Sequence, residues 1–274
     1  MTPRPMNPPT SRATPLRRCI AGLLCAATCV LAWAQVLPDF HGRKVVAVTE
    51  NAYPPLNMRD PKTGRGVGWE YDAFNEIARR LNLTVDWRLS SWDAMIESVR
   101  DGQFEVGMDG IAINEQRRQQ VDFSAPYMHE QLYMLVRADE TRFADPAAFR
   151  ANPRLLAGAQ PGTTSFYATG KELLGAPGAN PRIKLFDTFG ATAQALHAGD
   201  VDVVLSDLTG ANTLMKQSPG LFKRVGPPLA GENYGFIFRK GSPLVAPVDA
   251  ALAAMARDGT LERLNARWLP AAPR

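Results

Sequence analysis

The sequence predicts an α/β protein built of two similar lobes with a ligand cleft between them. Apolar strands alternate with amphipathic helices along the chain, which is typical of largely parallel sheets covered by helices. Segments 102–109 and 199–206 repeat one order: a helix end, an apolar strand and then a polar residue. About 240 residues follow an N-terminal leader, more than one average domain. Ligands of open α/β sheets bind at the carboxyl ends of strands, so two facing lobes predict a small-molecule cleft.

Residues 1–34 have the pattern of a secretory signal peptide. Two arginines precede an apolar run at 20–31, and small residues at 32 and 34 predict cleavage between Ala34 and Gln35. The run is too short to span a bilayer as a helix. The pattern predicts export to the periplasm, and its alternative is a buried core helix.

Removal of this leader changes the composition. The chain has 31 basic and 27 acidic residues, and four of the arginines but none of the acids lie in the leader. Equal numbers of each sign remain, so no basic surface for nucleic acid is expected. The leader also holds every cysteine, which excludes thiol catalysis, cysteine zinc sites and disulfides from the mature chain; a lipid anchor would need one of them at the new N-terminus. The histidines lack metal-ligand spacing, so we expect no metal and no cofactor.

The first part of the first lobe is predicted at residues 43–128. Strands are expected at 44–49, 85–89 and 104–108, and helices at 72–81 and from Trp92 to a stop at Gly102. The first helix has apolar residues at i, i+3, i+4 and i+7, and Ser91 caps the second. Pro54 and Pro55 end the first strand region, because proline removes ladder donors.

The second lobe is predicted at 130–232, and residues 234–274 are expected to return to the first lobe. Strands are expected at 155–160, 184–186 and 201–205, with helices opening at 161–165 and running over 192–197 to a stop at Gly199. Residues 247–268 predict two helices separated at Asp258-Gly259. We expect these two helices to pack on the first lobe.

Seven short motifs occur in an order that resembles one known family. They are Tyr53-x-Pro55, Gly68-Trp69-Glu70, Ser91-Trp92-Asp93, Gly110-Ile111-Ala112-Ile113-Asn114 with Arg117, Val121-Asp122-Phe123-Ser124, Gln160-Pro161-Gly162-Thr163-Thr164 and Leu205-Ser206-Asp207. Together they resemble extracellular solute-binding protein family 3, the periplasmic amino-acid-binding components of ABC transporters. The resemblance implies a type II periplasmic-binding-protein fold, a monomer that captures an amino acid by hinge closure, and a membrane permease as partner. It also implies that the protein is not an enzyme.

The resemblance assigns the two charged ends of an amino acid to opposite lobes. Arg117 is expected to bind the α-carboxylate, since the planar guanidinium donates two parallel hydrogen bonds. Thr163 and Thr164 open a helix whose N–H groups favour the same carboxylate from the other lobe. Asp207 is expected to pair with the α-ammonium. The alternatives are a solvated Arg117, a helix N-cap at Thr163, and a helix cap or turn at Asp207.

The remaining ligand residues follow from the same resemblance. Trp92 and Tyr53 are expected to form the walls around the ligand side chain, and the backbone at Gly110 and Ala112 to border the ligand. Ala112 departs from the family pattern, because relatives carry Ser or Thr there, and a hydroxyl contact is lost. Two further acids, Glu50 and Asp109, would suit a basic ligand side chain such as that of arginine or lysine.

Two other functions stay open at this stage. Cyclohexadienyl dehydratases share the fold and a similar Gly-Ile-x-Ile-Asn segment, so fold alone does not exclude catalysis. That chemistry needs a general acid in the cleft; residues 208–211 supply none, and Glu50 or Asp109 would have to serve. The other alternative is a sensor that signals to a partner protein, which the sequence does not distinguish from a transport protein.

Overall fold

The computed structural model describes residues 36–269. The predicted signal peptide and its cleavage position therefore lie outside the described residues. Within residues 36–269 no helix is both long and apolar enough to cross a membrane.

Strands and helices alternate along the chain as predicted. The strands of residues 36–269 are β1 (Arg43–Thr49), β2 (Ala52–Tyr53), β3 (Asn57–Arg59), β4 (Gly66–Val67), β5 (Leu83–Leu89), β6 (Val106–Gly107), β7 (Val121–Phe123), β8 (Met128–Arg137), β9 (Ala157–Ala159), β10 (Ile183–Leu185), β11 (Val203–Asp207), β12 (Phe222–Tyr234) and β13 (Ile237–Arg239). The helices are α1 (Trp69–Arg80), α2 (Trp92–Arg100), α3 (Glu115–Arg118), α4 (Pro146–Ala151), α5 (Thr164–Ala168), α6 (Phe189–Ala198), α7 (Leu208–Gln217), α8 (Val245–Arg257) and α9 (Thr260–Trp268), with a π-helical turn at Thr169–Leu173.

The first lobe contains a five-stranded sheet in the order β5-β1-β6-β13-β7. Strands β5, β1 and β6 are parallel, and β13 is antiparallel to both of its neighbours. Alternate residues of the strands face two apolar clusters, so helices cover both faces of the sheet. One cluster contains α1 and α8 side chains, and the other contains those of α2.

The C-terminal helices return to the first lobe, as expected. Trp69 of α1 donates its indole N–H to Asn265 of α9 at 2.7 Å, and Trp268 of α9 donates to Asp72 of α1 at 2.7 Å. The break between α8 and α9 lies at Asp258 and Gly259, and Gly259 has a φ of 74°. A left-handed backbone there favours glycine, which explains why the predicted break is accurate.

The second lobe contains another five-stranded sheet, in the order β10-β9-β11-β8-β12. Strands β10, β9 and β11 are parallel, whereas β8 and β12 run antiparallel to their neighbours. α4 and the π-helical turn cover one face, and α6 and α7 cover the other. Every strand of this sheet lies within residues 128–234, whereas the first sheet uses strands before and after that segment. The lobe boundaries at 43–128, 130–232 and 234–274 stay a prediction that this pairing pattern supports.

Two long strands carry the chain between the lobes. β8 begins and β12 ends beside the first sheet: Met128 pairs with Tyr234, and Glu130 pairs with Glu232. A bridge between Ala112 and Tyr234 joins this ladder to the first lobe. The ladder was not predicted from the sequence.

Several predicted boundaries are wrong by a few residues. α1 begins at Trp69 rather than residue 72, because Gly68 turns at a φ of 141° where an added Cβ would lie 2.2 Å from a backbone oxygen of Leu56. α6 begins at Phe189 rather than residue 192, since the Thr188 side chain accepts from the Ala191 N–H and caps the helix. β6 and β9 are shorter than predicted, and β11 is shifted by two residues towards Asp207. A small sheet of β2, β3 and β4 was not predicted.

Candidate ligand-binding site

A cavity lies between the lobes at the carboxyl ends of β1, β6, β9 and β11, where the repeated sequence pattern predicts a ligand. Its empty volume is about 570 Å³ including the part open to solvent, within the range of small-molecule sites. The wall consists of Glu50, Tyr53, Trp92, Asp109, Gly110, Arg117, Ala159, Gln160, Thr163, Thr164, Ser165, Phe189, Thr192, Val204, Leu205, Glu232 and Tyr234. Eight of the predicted site residues belong to this wall; Ala112 and Asp207 do not.

Direct hydrogen bonds join the two lobes around this cavity. They run from the Tyr53 hydroxyl to Asp207, from the Trp92 indole N–H to the Pro161 carbonyl at 3.1 Å, from Arg117 to the Gly162 carbonyl at 3.2 Å, and from the Gln160 amide to Glu50 at 3.3 Å. The lobes are therefore in a closed arrangement.

Arg117 is a buried cation with no acidic partner among residues 36–269. Its side chain is on α3, where the Asn114 side chain caps the helix by accepting from the Arg117 N–H at 2.8 Å. The residue is 6% exposed, and its guanidinium donates to the carbonyls of Ala112 at 2.9 Å and Gly162 at 3.2 Å. Within residues 36–269 no carboxylate lies within 4.0 Å of it. Burial lowers the pKa of Arg117, because desolvation penalises the charged form.

The indole ring of Trp92 supports the arginine rather than serving only as a wall. The guanidinium carbon of Arg117 lies 5.1 Å from the ring centroid, a cation–π distance. Trp92 also packs with Met95 and Val99 in an apolar cluster of the first lobe. Trp92 therefore lines the cavity and has a core role, while its contact with a ligand side chain stays a prediction.

The threonine hydroxyls of the second-lobe loop are already engaged. Thr163 caps α5 by accepting from the Phe166 N–H at 3.1 Å, and it donates to the Gln160 carbonyl at 2.8 Å. The Thr164 hydroxyl donates to Glu232 at 2.6 Å. The N-cap alternative for Thr163 is therefore observed, and carboxylate binding by this loop stays a prediction.

Asp207 is buried at the end of β11 with both oxygens occupied. One oxygen accepts from the Gly210 N–H at 2.7 Å and caps α7, and the other accepts from the Tyr53 hydroxyl. Burial, followed by the charge of Glu232, raises the pKa of Asp207 to about 7. The helix-cap alternative is thus present, while a contact of Asp207 with an α-ammonium stays a prediction.

The acids of the first-lobe wall differ in their surroundings. Glu50 accepts from Gln160 of the other lobe and from the Trp92 N–H at 3.4 Å, and burial raises its pKa. Asp109 is 5% exposed and accepts from the Asn57 amide at 2.7 Å. Burial and the nearby charges of Glu50 and Glu70 raise the pKa of Asp109 well above its ordinary value.

Gly110 and Ala112 hold other residues in and beneath the cavity wall in place through their backbone groups. The Gly110 N–H donates to Glu70 at 2.9 Å, and its φ is 56°. An added Cβ at this position would lie 2.6 Å from the Tyr53 ring, so the position requires glycine. Ala112 is buried outside the cavity wall, and its carbonyl holds Arg117.

Sequence reasoning missed other members of the wall. Gln160 ends the strand predicted at 155–160, and Phe189 follows the strand predicted at 184–186, so their position at strand ends was a usable signal. Phe189 packs edge-on against Tyr53 with 5.1 Å between the ring centroids. Glu232 and Tyr234 lie on β12, which had no recognised pattern. Among residues 36–269 no group of three or more His, Cys, Asp or Glu side chains is arranged to hold a metal ion.

Comparisons with known proteins agree with this architecture. The chain is similar to the probable histidine-binding protein of Neisseria gonorrhoeae, with 26% identity over 90% of this chain and 93% of that protein. It is similar in structure to the arginine-, lysine-, histidine-binding protein ArtJ of Geobacillus stearothermophilus, with a TM-score of 0.76, 29% identity, and coverage of 85% and 97%. It is also similar to the ancestral amino acid-binding protein AncCDT-1, described as a precursor of cyclohexadienyl dehydratase, with a TM-score of 0.75, 28% identity, and coverage of 83% and 96%.

These relatives confirm the predicted type II fold of two α/β lobes. The sequence model of the bacterial extracellular solute-binding proteins, family 3, matches residues 45–271, which is most of the chain. The resemblance inferred from the seven motifs is therefore confirmed, and the chain belongs to the bacterial extracellular solute-binding proteins, family 3.

Proposed function

We propose that this protein binds a cationic α-amino acid in the cleft and delivers it to a membrane ABC permease without chemical change. It acts as a monomer in the periplasm, and closure of the two lobes captures the ligand. The observation that carries the proposal is the buried guanidinium of Arg117, which has no carboxylate within 4.0 Å among residues 36–269.

The buried charge of Arg117 is costly for the folded protein. Transfer of a charged group out of water costs several kcal/mol even after relaxation. The carbonyls of Ala112 and Gly162 offset part of this cost as hydrogen-bond acceptors, but they carry no net charge. An α-carboxylate in the cavity would accept parallel hydrogen bonds from the same guanidinium and neutralise it.

The class of amino acid follows from the other charges of the wall. Glu50, Asp109 and Glu232 line the cavity, and Arg117 is the one basic residue among its lining residues. A neutral zwitterion would leave this excess of acids uncompensated, whereas a ligand with a basic side chain adds a positive charge. The relatives named as histidine-binding and as arginine-, lysine-, histidine-binding support the same class.

Calorimetric titration of the wild type and of Arg117→Lys with arginine, lysine and histidine tests the proposal. We expect binding to the wild type and a loss of about 100-fold or more in Arg117→Lys, since a lysine ammonium does not supply a planar pair of donors. Arg118→Lys is the matched control, because Arg118 is the exposed neighbour and lies over Phe123 instead. Equal affinity of Arg117→Lys and the wild type would contradict the carboxylate assignment.

One observation favours a second candidate, a cyclohexadienyl dehydratase. Glu50 and Asp109 line the cavity with raised pKa values, which a general acid requires. Incubation of the purified protein with prephenate or arogenate, followed by absorbance, tests this function. We expect no turnover, because the proposed function is binding without chemical change; turnover would replace the binding function. A sensing role is tested by whether a permease or a receptor is captured from membrane extract.

A further inference from the structure

A buried amide links two carboxylates beneath the cavity wall of the first lobe. The Asn57 side-chain amide donates to Glu70 at 2.8 Å and to Asp109 at 2.7 Å. Glu70 also accepts from the Gly110 N–H at 2.9 Å and from the Tyr127 hydroxyl at 2.5 Å. Asn57 and Glu70 are fully buried and Asp109 nearly so. The amide nitrogen of Asn57 thus bridges the two carboxylates, while its Oδ1 is buried without a hydrogen-bond partner among residues 36–269.

The two carboxylates differ in what they can still bind. Both oxygens of Glu70 accept from protein donors, and Glu70 is absent from the cavity wall. Asp109 receives one donor, on Oδ1, and lines the cavity. Its Oδ2 makes no hydrogen bond to residues 36–269 and is not among the fully enclosed unpartnered atoms of that part of the chain. Asp109 thus lines the cavity with one carboxylate oxygen that no donor of the described residues occupies.

The other first-lobe acid of the wall is used differently. Both oxygens of Glu50 accept from the Gln160 amide of the opposite lobe, at 3.3 and 3.4 Å. The carboxylate of Glu50 therefore takes part in lobe closure. Among residues 36–269 Asp109 makes no such interlobe bond, and its side chain is held by Asn57 of its own lobe, which leaves Oδ2 available to a ligand.

We infer that Asp109 is the residue that selects a positively charged ligand side chain, and that Asn57 is its positioning residue. This inference rests on the proposed function, since it requires an amino acid whose carboxylate is bound by Arg117. Arg117 and Asp109 both line the cavity and make no ion pair with each other within 4.0 Å, so each can bind a different end of one ligand. A neutral side chain would leave the Asp109 carboxylate buried beside Glu50 and Glu70 without a cation.

The test compares ligands that differ only in side-chain charge. Calorimetry measures dissociation constants of arginine and citrulline, and of lysine and norleucine, with the wild type and Asp109→Asn. We expect the wild type to prefer the charged member of a pair, and Asp109→Asn to reduce that preference by roughly 10- to 100-fold. Asp93→Asn is the matched control, because Asp93 lies near Glu50 but is exposed and outside the cavity wall.

Asn57→Leu tests the positioning role with a readout that a purely structural role would not change. We expect the preference for arginine over citrulline to decrease while citrulline affinity is nearly unchanged. Equal weakening of both ligands would assign Asn57 a structural role only. An unchanged preference in Asp109→Asn, or a wild type that binds citrulline or norleucine better than its charged counterpart, would overturn the inference while leaving amino-acid binding at Arg117 in place. A wild type that binds no amino acid would instead remove the proposed function itself.

Discussion

The hydroxyl of Tyr53 donates a hydrogen bond to the carboxylate of Asp207, and this bond joins the two lobes. Tyr53 lies in the small sheet of the first lobe, and Asp207 ends a strand and caps α7 in the second. The same carboxylate therefore stabilises a helix and the closed arrangement. Interlobe bonds of this kind lower the free energy of the closed state, so less of the ligand's binding free energy is needed to close the cleft.

Tyr53→Phe is expected to weaken ligand binding by about tenfold, because it removes one interlobe hydrogen bond and keeps the ring against Phe189. Calorimetry measures this change, and small-angle scattering follows lobe closure. Tyr71→Phe is the matched control, since the Tyr71 hydroxyl donates to Asn51 within the first lobe at 2.8 Å. The same loss of affinity in both variants would show that the interlobe bond has no special role.

The raised pKa of Asp207 leads us to predict that the stability of the protein decreases as the pH rises towards neutrality. Its pKa is raised from an ordinary 3.8 to about 7 in the folded protein, so the folded state binds the proton more tightly than the unfolded state. The stabilisation is fully present below the ordinary pKa and is lost as pH rises through about 7. Relative to Asp207→Asn, the free energy of unfolding of the ligand-free wild type should fall by a few kcal/mol over this range.

Urea unfolding at several pH values between about 4 and about 7 measures this difference. Asp145→Asn is the control, because Asp145 caps α4 through the Ala148 N–H at 2.8 Å but is exposed. A constant difference between Asp207→Asn and the wild type across this range would contradict the prediction.

Gly110→Ala tests the close approach of the backbone to Tyr53. Gly110 and Gly102 both have positive φ values, 56° and 78°, so alanine costs about 1 kcal/mol of backbone strain at either position. An added Cβ contacts the Tyr53 ring only at Gly110, and at Gly102 nothing lies within 4 Å. We expect thermal midpoints to fall in both variants and ligand affinity to fall only in Gly110→Ala. If Gly110→Ala binds ligand with the affinity of the wild type, the Tyr53 ring can shift away from the added Cβ without weakening binding, and the prediction is wrong.

The predicted lobe boundaries can be tested with an isolated segment. Residues 128–234 contain every strand of the second sheet, and the paired ends of β8 and β12 place the two termini side by side. We expect this segment to fold alone, because its apolar clusters are formed within the lobe. Dispersed amide signals in a two-dimensional NMR spectrum would support the boundary. Amide signals confined to the narrow range of an unfolded chain would show that this lobe folds only together with the other.

Local sequence patterns were sufficient to predict helix ends where interactions between neighbouring residues determine the backbone conformation. Ser91 and Gly102 bracket α2 as expected, although the Ser91 side chain makes no capping hydrogen bond. The break at Gly259 follows from the left-handed backbone that glycine tolerates. The motif pattern assigned ligand binding to Arg117 and not to Arg118. In the structure Arg117 is buried and Arg118 is exposed, which agrees with that choice.

β8 and β12 were not predicted, because they are stabilised by pairing with each other over a long distance in the sequence. Pro227 and Pro228 argue against a strand, and the register shifts between Val225 and Ala230 at that point. The ladder nevertheless continues to Tyr234 because β8 supplies the partner groups. Glu232 was missed for this reason, since its place in the cavity depends on a strand that the local pattern did not predict.

The sequence by itself determined the two α/β lobes, the family and the arginine of the cleft, because periodicity and ordered motifs are local properties of the chain. Only the tertiary structure decided which polar groups remain available to a ligand. Asp207 and Thr163 have their hydrogen-bonding capacity occupied by protein donors and acceptors, whereas Asp109 lines the cavity and is held by Asn57 on one oxygen, with no donor to the other among residues 36–269. The physical reason is that most buried polar groups form hydrogen bonds, and their partners come from segments that only folding brings together.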